Sequence, residues 1–406
     1  MGFKRSPLAS HSSDNLKFPL FPLIATLATQ SLATMAAYSF PVVAPVIAKD
    51  LEVPGTLVGF FISTVYGVGI MSALLSPRFI RRFGAVRVSQ LVLIATLAML
   101  LACSVGSVIS VVIGAALLGL AYGATAPASA HLLVPRTPLR LMNLVLSIRQ
   151  IGVPLGGVMA GLIMAPMTLS LGWQTALLWQ TVPVLLAVLL LELARRDWDS
   201  DRDPSRQIFS QGLLAPVQIL FDRPELRRLA LVSFVYSGLQ LCFIAFLTVH
   251  LTSKSGFNLV QAGWALAVYQ LAAVVSRPIW GWLADNWFSA KLLLAWQGII
   301  MGATALLAGQ FSESWASGLV LLLCAVAGAT ASGFTGLAYA EWARLGGAQR
   351  TEATGLGSGL MFAGVLLLPS MFSVAVTYFD DFSVPYGFVG ALAALSGLLL
   401  WRQRNI

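Results

Sequence analysis

Apolar runs of about twenty residues, each ended by charged residues or by Gly, Pro and Asp, recur from end to end of this 406-residue chain, and a helix needs about that length to cross a bilayer. No water-soluble core absorbs so much apolar surface: 58% of the residues are hydrophobic and only 10% are charged. Lipid is therefore the expected solvent. The runs predict spans at 19–48, 55–76, 85–104, 107–134, 141–166, 173–194, 227–251, 259–283, 290–309, 315–341, 352–378 and 383–402. The fold class expected is an all-α membrane protein of twelve transmembrane helices.

The net charge of +9 does not point to nucleic acid, because the basic residues sit in short loops between apolar runs and not along one face. With both termini cytoplasmic, 22 of the 25 Lys and Arg fall inside, Lys49 and Lys254 fall outside, and Arg149 lies within a span. The positive-inside rule then fixes the orientation, and an odd number of spans destroys the asymmetry. The expected location is the plasma membrane, the inner membrane in a bacterium. Cys103, Cys242 and Cys324 lie in apolar runs without CxxC spacing and read as small buried hydrophobes. Neither metal nor cofactor is expected. Residues 1–18 form a Ser-rich cytoplasmic tail without a cleavable signal pattern. Met1-Gly2 with Ser6 loosely fits a myristoylation site, which a chain held by twelve helices does not need.

One long loop, 195–226, carries Arg195, Arg196, Asp197, Asp199, Asp201, Arg202, Asp203, Arg206, Asp222, Arg223 and Glu225, and its mixed charges read as a solvated linker. It divides the chain into an N-terminal bundle (19–194) and a C-terminal bundle (227–402), with a short tail at 403–406. The halves repeat weakly. Pro77 to Arg87 after span two aligns with Gly281 to Lys291 after span eight at an offset of 204, and Gly123-Ala124-Thr125-Ala126 aligns with Gly328-Ala329-Thr330-Ala331 at 205. Such a repeat is expected of two six-helix bundles in parallel orientation.

The loop after span eight, with Gly281, Asp285 and Lys291, resembles the signature loop of the major facilitator superfamily, and its first-half copy keeps Arg82, Gly84 and Arg87. The first copy departs where Pro77 replaces the Gly and Arg81 the Asp. The resemblance implies a transporter of two pseudo-symmetric six-helix bundles, monomeric by default, in which the loop Asp faces a helix N-terminus of the opposite half and holds the cytoplasmic side shut. Asp285 is thus expected near Arg140 at the start of span five, and Arg81 or Arg82 against Glu352 at the start of span eleven. Hydrated charges that only enforce topology are the alternative. Span five, Ser147 to Gly157, also resembles a branch of bacterial facilitators with a cationic residue followed by Gln.

Arg149 lies eight residues into span five, roughly 12 Å deep at 1.5 Å per residue, where a guanidinium is costly unless it meets water, an acid or a ligand. No Asp or Glu lies at comparable depth; Glu192, Asp285 and Glu341 sit near helix ends. Its planar donors suit a carboxylate, phosphate or sulfonate, so the expected partner is a small organic anion, with hydrogen bonding to carbonyls as the structural alternative. Gly152 and Gly156 lie within about 60° of Arg149 on a helical wheel, while Asn143, Gln150, Gly157 and Gly161 cluster about 100° away. Pro154 frees a backbone carbonyl, and the Gly-xxx-Gly pairs allow close packing.

Polar stripes fall in the spans such carriers use to line a cavity: Thr26, Gln30, Thr34 and Tyr38; Tyr122, Thr125 and Ser129; Tyr236 and Gln240; Tyr269 and Gln270; Ser332, Thr335 and Tyr339. Of these, Gln30, Thr34, Tyr38, Tyr122, Tyr236, Gln240, Gln270 and Tyr339 join Arg149 and Gln150 as candidate substrate contacts, with interhelical hydrogen bonds as the alternative. His131, near the cytoplasmic end of span four, reads as a helix-end hydrogen-bonding group more than a proton carrier. The expectation is alternating-access transport of an organic anion, coupled to a proton or a counter-anion. Its rivals are a drug or metabolite exporter in which Arg149 couples conformations, and a receptor or scaffold without transport. An enzyme is disfavoured, since no HExxH, Ser/His/Asp set or deep carboxylate pair is present.

Overall fold

The computed structural model describes residues 18–52, 55–206, 208, 217–257 and 259–401, so Met1, Gly2, Ser6 and His11 lie outside the described residues. Among those described there is no strand. The first half contains α1 (Leu20–Val42), α2 (Ala44–Asp50), α3 (Gly55–Phe83), α4 (Ala85–Ser104), α5 (Val108–Tyr122), α6 (Thr125–Leu133), α7 (Met142–Gln150), α8 (Gly152–Leu171), α9 (Trp173–Trp179) and α10 (Thr181–Trp198). The second contains α11 (Gln218–Asp222), α12 (Pro224–Lys254), α13 (Leu259–Asn286), α14 (Ala290–Ala308), α15 (Ser317–Ala327), a π turn at Gly328–Ser332, α16 (Thr335–Gly346), α17 (Arg350–Phe379) and α18 (Ser383–Trp401).

Nine segments among the described residues are long and apolar enough to cross a bilayer. One of them, Ser317–Phe379, folds back on itself at Gly347 and holds two crossings, while α3 and α13, of 29 and 28 residues, fall outside that set. Counting these brings the described crossings into line with the twelve expected. Predicted spans four, five and ten are broken, at Gly123-Ala124, at Ile151 and at the π turn. The two Gly-Ala-Thr-Ala copies therefore mark a helix interruption in each half, and freed backbone groups in a membrane are tolerated where they meet other protein or a cavity.

One apolar core runs through residues 33–191 and a second mainly through 219–400. Leu23, Leu133, Val145, Leu146 and Ala340 form a small third cluster that joins the halves. Facing outward, α10 exposes Val182, Leu185, Leu186, Leu189, Leu190 and Leu193, a stripe at helical spacing that lipid covers.

The 195–226 segment is not simply a solvated linker. Its Asp199 is only 3% exposed and caps the N-terminus of α4, accepting from the backbone N–H of Val86 (2.8 Å) and Arg87 (3.0 Å). Gly84 makes room for it: its φ is +97°, and a Cβ there would sit 2.1 Å from the Asp199 carboxyl carbon. Burial pushes the Asp199 carboxyl above the usual carboxylate range, against the pull of the two N–H donors. The same segment then passes over the loop between α3 and α4, where the Asp203 N–H donates to the Arg81 carbonyl (2.8 Å) and Arg82 Nη1 to the Arg206 carbonyl (3.0 Å). This end of the bundle, bearing the Arg-rich loops, is called the basic end below.

Candidate functional site: a central cavity with two buried arginines

Between the halves lies a cavity of about 670 Å³, counting the space that opens to solvent. It is lined by Gln30 and Tyr38 of α1, Tyr66 of α3, Tyr122 of α5, Arg149 and Gln150 of α7, Gln240 of α12, Arg277 of α13, Tyr339 of α16 and Phe362 of α17, among others. No Asp or Glu lines it among the described residues.

Arg149, 2% exposed, is held by three acceptors on two elements, α1 and α6. Its Nε donates to Ser129 Oγ (2.9 Å), and its Nη2 to Gln30 Oε1 (3.0 Å) and to the Thr125 carbonyl (2.8 Å) beside the break in span four. Gln30 is oriented from its other side, with Nε2 donating to Thr34 Oγ1 (2.8 Å) and Tyr122 OH (3.2 Å). A guanidinium away from bulk water needs every such partner.

Arg277 is the second buried cation, 0% exposed, and corrects the charge count: it belongs within span eight and not with the inner-loop charges, which number 21 without it. Its Nε (2.9 Å) and Nη2 (2.8 Å) donate to the Ser332 carbonyl at the end of the π turn, and its Nη1 donates across the halves to the Gln150 carbonyl. Sequence reasoning passed over it by counting it with the basic residues of the inner loops, although it falls inside the predicted span 259–283. The depth argument that singled out Arg149 held the signal, since Arg277 lies six residues inside the predicted end at Leu283, roughly 9 Å at 1.5 Å per residue.

Of the expected substrate contacts, Arg149, Gln150, Gln30, Tyr38, Tyr122, Gln240 and Tyr339 line the cavity, and Thr34, Tyr236 and Gln270 do not. Thr34 stands behind it, bonded to Gln30 and to Tyr122 OH (2.9 Å). Tyr236 is fully buried, packed edge-on against Phe334, and donates to the Leu294 carbonyl (3.0 Å) of α14. A polar residue on an inner helix face meets either the cavity or a neighbouring helix, and spacing does not separate the two. Tyr236→Phe is expected to lower stability by about 1 kcal/mol, the worth of one buried hydrogen bond, while ligand affinity stays unchanged. Chemical denaturation and titration calorimetry check the two halves of that statement.

Aromatic rings line the cavity together with the arginines. Phe362 stacks on Tyr122 (6.0 Å) and meets Tyr66 edge-on (4.9 Å), and Tyr38 OH lies 3.4 Å from Tyr66 OH. On the second half, Gln240 Nε2 donates to Ser332 Oγ (3.0 Å) and Tyr339 OH lies 3.1 Å from Ser358 Oγ.

At the basic end several polar contacts cross between the halves. Asp285 receives the N-terminus of α7: Oδ1 accepts from the Asn143 N–H (3.1 Å) and Nδ2 (2.7 Å), and Oδ2 from the Leu144 N–H (2.8 Å). Arg140 itself is exposed and makes none of these contacts; the orphan N–H groups of the helix start supply the positive end instead. Arg81 pairs with Glu352, whereas Arg82 turns to the Arg206 carbonyl. His131 Nδ1 lies 2.9 Å from Thr351 Oγ1 across the halves, and its Nε2 lies 2.8 Å from Asp201 Oδ2. Arg81→Glu is expected to cut transport about 5-fold, from the loss of a partly buried pair worth about 1 kcal/mol. The exchange Arg81→Glu with Glu352→Arg is expected to regain at least half the rate; an exchange no better than the single change removes the pair from the gate.

A broken-helix bundle with a central cavity and tight contacts at one end is the architecture of a multi-pass carrier. The profile of the Major Facilitator Superfamily matches residues 26–260 and 229–405, and the chain belongs to that family: it is a membrane transporter, not an enzyme. Among curated relatives, the 4-hydroxybenzoate transporter PcaK of Pseudomonas aeruginosa is 30% identical over 229 residues, 48% of each chain, so the chain spans about half the length of this relative. A probable nitrate/nitrite transporter, NarK2, of Mycobacterium tuberculosis is 39% identical over 80 residues, 19% of each. Among solved structures, a point variant of the Escherichia coli fucose:proton symporter FucP has a TM-score of 0.72 at 14% identity, covering 95% of this chain and 99% of that one. The human organic anion transporter MFSD10 has a TM-score of 0.72 at 17% identity, covering 95% of this chain and 100% of that one. These two structures share the fold.

Proposed function

We propose that this protein is a secondary active transporter that moves a small organic anion across the plasma membrane by alternating access. The observation that carries the reading is the pair of buried guanidiniums, Arg149 and Arg277, lining one cavity with no acidic residue in its wall among the described residues. Two positive charges without a counter-charge are costly in a membrane until an anion or water meets them. Tyr38, Tyr66, Tyr122, Tyr339 and Phe362 offer ring faces and hydroxyls to the rest of the molecule. Relatives named for 4-hydroxybenzoate and for nitrate or nitrite point the same way.

In this reading the bundles 19–194 and 227–402 rock about the cavity, both termini are cytoplasmic, the protein works as a monomer, and the basic end with Asp285, Arg81 and Glu352 is the cytoplasmic gate, shut in the form described. With no carboxylate in the described cavity wall to carry a proton, the anion itself brings the proton or is exchanged for another anion. One observation favours the rival exporter reading: three of Arg149's donor contacts already go to protein acceptors, as a coupling residue requires.

The test is thermal stabilisation of the purified protein by 4-hydroxybenzoate, benzoate, nitrate and phosphate, with benzyl alcohol and benzylamine as neutral and cationic counterparts. At 100 times Kd an anion is expected to stabilise the folded protein by about 2.7 kcal/mol, and its neutral counterpart not at all. Equal stabilisation by benzyl alcohol or benzylamine overturns the anion reading.

A further inference from the structure

Arg277 reaches the opposite half at a single point, the carbonyl of Gln150, and the sequence explains why that carbonyl is free. In a helix the Gln150 oxygen would accept the N–H of the residue four places on. That residue is Pro154, which has no N–H. The backbone on either side is ordinary: Leu155 N–H donates to the Ile151 carbonyl at 2.9 Å, with Ile151 at φ −58° and ψ −24°. The helix therefore offers one orphan acceptor, buried at the wall of the cavity, where an unmade bond is expensive. Meanwhile the Ser332 carbonyl fixes Nε and Nη2 of Arg277 from its own half, which aims Nη1 across the gap.

We infer that Arg277 and the Gln150 carbonyl, exposed by Pro154, form a latch that holds the two halves together beside the cavity, and that the carried anion opens it by taking Nη1 for itself. The inference rests on the anion reading for its second part only. A carboxylate or similar oxyanion is the stronger acceptor for a guanidinium, because both partners are charged. A neutral ligand has no such advantage over a peptide carbonyl. Binding thus exchanges a bond between the halves for a bond to the ligand, which is how occupancy of the cavity relaxes the closed basic end. A ligand shifts such an equilibrium only through its different affinity for the two states, and the competition for Nη1 supplies that difference. The Gln150 carbonyl loses its partner in the exchange, so part of the binding energy is spent on release.

Pro154→Ala separates this arrangement from its alternatives, since the new N–H satisfies the Gln150 carbonyl inside its own helix. Spin labels at Arg140→Cys and Ala348→Cys, both exposed at the basic end on opposite halves, report the separation, and the three native cysteines are buried. Without any ligand, Pro154→Ala is expected to move the distance distribution toward the open form, and its affinity for 4-hydroxybenzoate is expected to rise about 10-fold. In an Arg277→Gln background, Pro154→Ala is expected to change neither quantity. Equal effects in both backgrounds assign the change to helix straightening and overturn the latch, as does an unmoved distribution in the single variant; Arg277→Lys, which keeps a charge but loses the fork, repeats the comparison if Arg277→Gln folds poorly. A non-additive distance change with no 4-hydroxybenzoate binding to any form keeps the latch and overturns its opening by this anion. Binding with an additive distance change keeps the substrate reading and overturns the latch.

Discussion

Arg149→Ala is expected to abolish stabilisation by anions and to weaken their binding at least about 30-fold. Losing one partner of a buried, charge-assisted contact costs about 2–5 kcal/mol, and each 1.4 kcal/mol is a factor of about ten. The fold should tolerate the loss, because the Gln30 side chain stays anchored through Nε2 to Thr34 and Tyr122, and the Thr125 carbonyl still accepts from Ser129 Oγ at 2.6 Å. Arg149→Lys is the sharper variant. It retains the charge as a point but cannot span two acceptors at once, so affinity should fall about 10-fold. Titration calorimetry with 4-hydroxybenzoate gives affinity, and uptake into proteoliposomes gives rate. Full affinity with lost uptake in Arg149→Lys moves Arg149 from binding to conformational coupling, and so favours the exporter reading over the one proposed.

The membrane fold was legible because its cause is crude: lipid admits only helices and closed barrels, whose backbone groups are satisfied internally, and runs of about twenty apolar residues report the helix directly. The cavity was half legible. Arg149 stands out by its depth, whereas Arg277 carries the same chemistry somewhat nearer the end of its span and goes unnoticed when it is counted with the basic residues of the inner loops. Tyr236 and Gln270 were beyond reach for the opposite reason. A helix inside a bundle is buried on most of its faces, so amphipathic spacing marks the faces away from lipid without saying which of them meets the cavity. The basic end was legible only through the family resemblance, which supplied the helix-start partner for Asp285. Nothing in the sequence distinguished Asp199 from its charged neighbours; its role depends on Gly84, 115 positions earlier, leaving a space where a side chain would stand.

Gly336→Leu is expected to leave the protein folded and to reduce transport more than 100-fold by preventing closure of the basic end. A Cβ on Gly336 would lie 2.4 Å from both Cα and Oγ of Ser147, so the obstacle is backbone of α7 and no rotamer change removes it. Gly281 meets the same stretch, with a Cβ position 2.7 Å from the Asn143 carbonyl oxygen and from Leu144 Cα. Two glycines of the second half thus press α13 and α16 onto α7 at the level where Asp285 seizes the helix start, a small-residue contact of the kind that lets membrane helices approach closely. Ser147 Oγ is buried there without a hydrogen-bond partner, so shape and not polarity decides the fit. Opening toward the basic end moves α13 and α16 away from α7, and the added side chain then meets no backbone. Its penalty of about 3 kcal/mol, typical of overpacking, therefore falls on the closed form alone and shifts the ratio of forms more than 100-fold. The spin-label pair at Arg140 and Ala348 should report a single, longer separation that 4-hydroxybenzoate no longer changes, while the melting temperature stays within a few degrees of the unmodified protein. An unchanged distance distribution with normal uptake shows that α7 yields to the larger residue, and removes the glycine contact from the gate.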